Sequence, residues 1–70
     1  MDAVAPYKRL KVPTARQFRA MRETVALPQA DFARRLQIGK RALQYYESGE
    51  RRVPEWLTYR LIRMKLWTEG

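Results

Sequence analysis

Lys40, Arg41, Gln44, Tyr45 and Ser48 carry side chains suited to a polyanion and to hydrogen-bonding edges within it. On a helix advancing about 100° per residue they share one arc, opposite Ala42, Leu43 and Tyr46. Arg and Lys complement guanine edges, Gln complements adenine, and Tyr and Ser can reach bases or phosphates. Glu47, at the edge of the arc, is its only acid. A merely solvated helix face is polar too, but more often mixes both signs of charge. The pattern favours a face that reads duplex DNA, with Lys40, Arg41, Gln44 and Tyr45 toward bases and Ser48 toward a phosphate.

Such a face needs a second element to hold it at an angle. Upstream, Phe32, Ala33 and Leu36 fall on one side of a short helical pattern, and a break at Gln37-Ile38-Gly39 separates it from the pattern carrying Ala42, Leu43 and Tyr46. Ile38 can plug the angle between the two helices, and Ala33 is small enough for their closest approach. This is the spacing of a helix-turn-helix, whose second helix can lie in a major groove. Leu27-Pro28 is expected to open the first of the two helices, with Pro28 in its first turn and Asp31 near its positive end. Gln29, at the same end, is placed to hold a phosphate together with nearby backbone N–H groups. Gly49 is a stop signal for the second helix. In the loop that follows, Arg51 and Arg52 are expected on phosphates, the alternative being a solvated charge run.

The preceding helix is predicted from Thr14 to about Ala26. Thr14 and Gln17 have capping-box spacing, and Pro13 blocks extension upstream. Phe18, Met21 and Val25 form its apolar stripe, and Arg22 falls inside that stripe. A buried guanidinium needs a partner, and Glu47 is the expected one. The alternative is that the Arg22 stem snorkels to water. A last helix is predicted from Pro54 to about Trp67. Leu57, Leu61, Met64 and Thr68 on one side suit the domain's own core, whereas Tyr59, Ile62 and Leu66 on nearly the opposite side imply a self-association surface. Trp56 and Trp67 flank the two. A basic amphipathic membrane binder is the weaker reading of this helix.

Residues 1–13, with Pro6 and Pro13 among Lys8, Arg9 and Lys11, read as an extended arm before a domain at 14–70. The arm either tracks DNA or is a solvated tail. Seventy residues carrying 15 Lys and Arg against 7 Asp and Glu, a net charge of +8, favour a polyanionic partner. With neither Cys nor His, disulfide and zinc staples are excluded, so stability must come from helix packing, a partner subunit, or both. No apolar run approaches the ~20 residues of a membrane span, and the first residues lack a signal-peptide core. A cytoplasmic protein with no membrane partner is the expectation, whether nucleoid-associated or, if phage-encoded, inside a host.

From about Phe18 to Pro54 the chain resembles the Cro/repressor-type helix-turn-helix domains, the group that includes lambdoid phage repressors and Cro proteins. The resemblance is carried by Arg22, Leu27, Gln29, Phe32-Ala33, Leu36, Ile38, Leu43, Glu47-x-Gly49 and Pro54. It implies an all-α, four-helix, lambda-repressor-like fold and a homodimeric repressor on a palindromic DNA operator. It also implies a phosphate anchor at Gln29 that supports the recognition helix, base contacts from Lys40, Arg41, Gln44 and Tyr45, and an Arg22–Glu47 ion pair. Two positions depart from the family pattern. Gln37 replaces the usual turn Gly and must accept a left-handed backbone, and Pro28 replaces the usual Ser or Asn cap. The run from Gln44 to Gly49 is also similar to small anti-CRISPR-associated repressors.

An antitoxin that binds a cognate toxin and autoregulates through the same unit is the alternative. An RNA-binding module fits less well, lacking interleaved stacking aromatics on a sheet. No catalysis, cofactor or metal is expected: there is no Gly-rich phosphate loop, and the nearest carboxylate candidates are Glu23 and Glu47, the latter with a structural task.

Overall fold

The computed structural model describes residues 10–68. Among them are four helices and no strand: α1 (Ala15–Val25), α2 (Gln29–Leu36), α3 (Lys40–Ser48) and α4 (Glu55–Arg63). The described residues are all-α, as their periodicities imply. Thr14 caps α1 through the reciprocal pair of bonds expected from its spacing, Gln17 N to Thr14 Oγ1 and Thr14 N to Gln17 Oε1. Pro28 lies just before α2 rather than in its first turn. It supplies no side-chain bond, although its carbonyl accepts from Phe32 N.

The core forms where α1 and α2 pack on α3 and α4 packs on α2. Phe18, Phe32, Leu36, Leu43, Leu57 and Leu61 are fully buried, each side chain of this size contributing roughly 1.5–3 kcal/mol. Phe18 sits at the centre, its ring 5.9 Å from those of both Phe32 and Tyr46. Thr58 is also fully buried, and its hydroxyl is satisfied by the Pro54 carbonyl at 2.9 Å. Arg60 donates to the carbonyl of Leu36, the last residue of α2, and lies over the Trp56 ring. A cation at a helix C-terminus is favoured by the exposed carbonyls there, so α4 secures the end of α2 just before the turn.

Three helices stop in the same way. Ala26, Gln37 and Lys65 have φ of 56°, 60° and 63°. After each, an apolar residue bonds back into the preceding helix: Leu27 N to Arg22 O, Ile38 N to Ala33 O, and Leu66 N to Leu61 O. This is a Schellman stop, in which the residue after the left-handed position packs on the helix it has just left. Leu27, Ile38 and Leu66 are all partly buried against the core. Seating these side chains offsets the strain of a left-handed non-glycine residue.

The same stop corrects two expectations for the last helix. It ends at Arg63, not near Trp67, so Thr68 is exposed rather than part of a core-facing stripe. Leu66 no longer continues the side of Tyr59 and Ile62. It turns to a groove beside Gln17, Ala20, Met21 and Thr24 of α1. At the other end, Leu10 and Pro13 are buried and the Trp67 indole N–H donates to the Lys11 carbonyl at 2.8 Å. Residues 10–13 are thus packed against the domain rather than part of a free arm. The rest of the expected arm, residues 1–9, lies outside the described residues.

Gln37 is exposed and carries the left-handed strain without a glycine's freedom. Gln37→Gly is expected to raise the unfolding free energy by about 0.5–1 kcal/mol, seen as a higher urea midpoint at unchanged slope. A lower midpoint would show that the Gln37 side chain contributes a stabilising contact.

Candidate nucleic-acid interface

The turn Gln37-Ile38-Gly39 joins α2 to α3, with Ala33 and Leu36 of α2 and Leu43 of α3 buried between them. This burial rotates the opposite side of α3 outward. Lys40, Arg41, Gln44 and Ser48 are exposed and Tyr45 is half-buried on the same arc, as the spacing predicts. Glu47 turns away from that arc and is 6% exposed. The outer arc of α3 is therefore free of acids, and the nearest one in the following loop is Glu50.

Glu47 is the hub beneath the surface. Arg22 Nε donates to its Oε2 at 2.6 Å, Arg22 Nη2 to its Oε1 at 3.2 Å, and Gln29 Nε2 to the same Oε1 at 3.1 Å. Arg22 also donates through Nη1 to the Leu27 carbonyl at 3.1 Å, tying the α1–α2 junction to α3. The hydrogen bond to Glu47 is the largest influence raising the Arg22 guanidinium above its ordinary pKa; burial opposes it, and the charges of Glu47 and Glu23 add to it. The expected Arg22–Glu47 pair is present, and Arg22 does not depend on water alone. Such a pair locks geometry more than it adds net stability, because desolvating both charges offsets much of their attraction.

Gln29 links this hub to the surface. Its Oε1 accepts from Gln44 Nε2 at 3.2 Å, so both ends of its amide bond within the protein. The Gln29–Gln44 bond and the branch to Glu47 were not among the sequence-derived expectations. Pairing of residues on different helices leaves no periodic signal, although the chemistry of two amides beside one carboxylate was available to suggest it. The backbone N–H groups in the first turn of α2 lie at the same end as Gln29, and Pro28 does not cap them with a side chain. Gly39 likewise provides no side-chain cap at the start of α3.

The expected phosphate contacts are distributed unevenly. The Ser48 hydroxyl donates to the Tyr45 carbonyl and accepts from Glu50 N, so it finishes the helix rather than standing free. The Arg51 guanidinium lies 4.7 Å from the Tyr45 ring centroid, and Arg51 N bonds to the Tyr45 carbonyl. Tyr45 is thus a platform that holds Arg51 beside α3. Arg52 is exposed in the same loop, where it borders a depression with Leu10, Val12, Val53 and Glu55. Tyr59 and Ile62 lie away from this region, on α4.

Fold and interface together define a helix-turn-helix DNA-binding domain. A family model described as a helix-turn-helix domain matches residues 15–64, and the chain belongs to that family. No curated protein and no solved structure matches the chain. Among the described residues, no helix is long and apolar enough to cross a membrane.

Removing the Arg22 guanidinium strands Glu47 in a nearly dry site. Arg22→Ala is expected to lower the unfolding free energy by about 3 kcal/mol; the estimate sits at the low end because Arg22 itself is 19% exposed. Urea denaturation checks it, and a loss under about 1 kcal/mol would show that water readily replaces the guanidinium.

Proposed function

We propose that the protein is a sequence-specific, double-stranded-DNA-binding transcriptional repressor of the Cro/repressor type, acting as a homodimer on a palindromic operator. The observation that carries the reading is the acid-free outer arc of α3, with Glu47 withdrawn into the Arg22–Gln29 hub. In this reading α3 enters the major groove. Arg41 and Lys40 meet guanine edges, Gln44 meets adenine, and Tyr45 stays near the bases while steadying Arg51. The first turn of α2, Arg51 and Arg52 hold phosphates and set the depth and tilt of α3, contributing affinity without sequence information.

Pairing of two such domains places two recognition helices on successive major grooves, about 34 Å apart. The surface proposed for that pairing is α4. Trp56 and Tyr59 are half-exposed there, and Tyr59 and Ile62 border an apolar depression with Trp67. Leu66, on the α1 side, is not part of it. Repression then follows from occupying promoter DNA and excluding polymerase, inside a cell or a phage-infected host. Selection of bound duplexes from a random pool tests the reading as a whole. A palindromic consensus with one-turn spacing is expected, and an unselective pool would refute it.

Two substitutions separate the parts. Arg41→Ala is expected to weaken operator binding by about 1–3 kcal/mol and to relax preference at one base pair; unchanged affinity and preference in duplex titrations would remove Arg41 from the readout. Ile62→Glu is expected to yield monomers in sedimentation at concentrations where the parent chain is dimeric. The same mass for both proteins would move the interface elsewhere.

A further inference from the structure

The hydrogen-bond chain from Arg22 to Gln44 has a direction. A carboxylate can only accept, so the group Gln29 presents to Glu47 Oε1 must be its NH₂. This requirement settles the orientation of an amide whose two ends are otherwise similar in shape. With its NH₂ turned inward, Gln29 can offer only its oxygen to Gln44, and Gln44 must answer with an N–H, as it does at 3.2 Å. One N–H of Gln44 is thereby engaged. Its oxygen and second N–H remain as an acceptor beside a donor, on a side chain that is exposed on the outer arc.

That pair of groups is complementary to adenine, which presents an N6 donor and an N7 acceptor. It mismatches guanine, where O6 and N7 both accept and the Gln44 oxygen would face another oxygen. Resting on the reading of Gln44 as a base-facing residue, we propose that Glu47 is a positioning residue for base choice. Through Gln29, its carboxylate determines which edge of the Gln44 amide faces the groove, and so selects adenine over guanine.

Replacing Glu47 by an amide reverses the chain. In Glu47→Gln the new oxygen takes the Oε2 place, where Arg22 Nε makes the shorter of its two bonds. The new NH₂ then takes the Oε1 place facing Gln29 and displaces Arg22 Nη2 toward water. The Gln29 oxygen turns inward and its NH₂ outward, and Gln44 answers with its own oxygen. Only the Gln44 NH₂ is then free, which suits the acceptors of guanine. A role limited to stability predicts no such change in base preference.

The test first locates the base pair by Gln44→Ala, as the position whose preference relaxes. Duplexes with adenine or guanine there are then titrated against the parent chain, Glu47→Gln and Arg22→Lys, with thermal melts of each protein alone. The parent is expected to favour adenine by about tenfold. Glu47→Gln is expected to bring the ratio to about one or to invert it. Arg22→Lys, which leaves the carboxylate and a donor-only neighbour in place, is expected to lose stability yet keep the adenine preference. An unchanged ratio in Glu47→Gln overturns the inference and leaves the DNA-reading function standing, as does loss of the ratio in Arg22→Lys at similar stability. A selective parent without adenine preference at that pair also overturns it. A parent that selects no sequence refutes both. Where a core variant unfolds at the working temperature, Gln29→Leu breaks the same chain nearer the surface. A collapse of the adenine ratio is expected there, beyond any loss shared by both duplexes, and a retained ratio overturns the inference.

Discussion

Glu47 accepts from Arg22 on α1 and Gln29 on α2 while lying on α3, so one nearly buried carboxylate joins the three helices that form the DNA-binding unit. A charge in such a place is tolerated only when its lone pairs are met, and the surrounding geometry is constrained by that need. The constraint acts on orientation. Apolar packing of Leu36 and Leu43 would hold α2 and α3 together with some freedom of rotation, whereas directional bonds to one carboxylate leave little. Withdrawal of Glu47 from the surface also removes the one acid of α3 that would repel phosphate from its outer arc.

A small helical domain has few places to store rigidity, and this one concentrates it at helix ends. Arg60 of α4 meets the last carbonyl of α2, and the Trp67 indole meets the Lys11 carbonyl. The repeated left-handed stops at Ala26, Gln37 and Lys65 each turn a following Leu or Ile back onto the core. At the helix starts only α1 has a side-chain cap, and Pro54 of α4 lacks one just as the starts of α2 and α3 do. At Pro28 and Gly39 this leaves early backbone N–H groups of α2 and α3 for another partner. Rigid helix stops and uncapped donors on α2 and α3 suit a surface that must meet a polyanion without first rearranging.

Much of this was legible in the residues themselves. Periodicity placed α1, α2 and α3 because each carries an apolar stripe, with Thr14 marking the start of the first and Gly49 the end of the last. Arg22 inside the Phe18–Val25 stripe demanded an acid, and Glu47 beside the apolar side of α3 was the one suited to it. The last helix stops short of what its sequence implies, because Met64, Lys65 and Leu66 have ordinary helical character. What stops it is a left-handed Lys65, a conformation that lysine does not advertise as glycine does. The Gln29–Gln44 bond was hidden for another reason: it joins residues distant in sequence through long flexible side chains, and only the placement of Glu47 brings them together. The spacing of Ser48 implies a phosphate contact but not its local bonds, one back to the Tyr45 carbonyl within α3 and one from Glu50 N in the loop beyond.

The central claim is that one face, supported from behind by the Glu47 hub, meets DNA while the other basic surfaces do not. Backbone amide chemical shifts recorded during titration with a selected duplex test it most directly. The account predicts the largest changes at Lys40, Arg41, Gln44 and Tyr45, at the first turn of α2, and at Arg51 and Arg52, with Arg16 and Arg19 of α1 little affected. Changes spread evenly over all basic surfaces, or centred on α1, would contradict it.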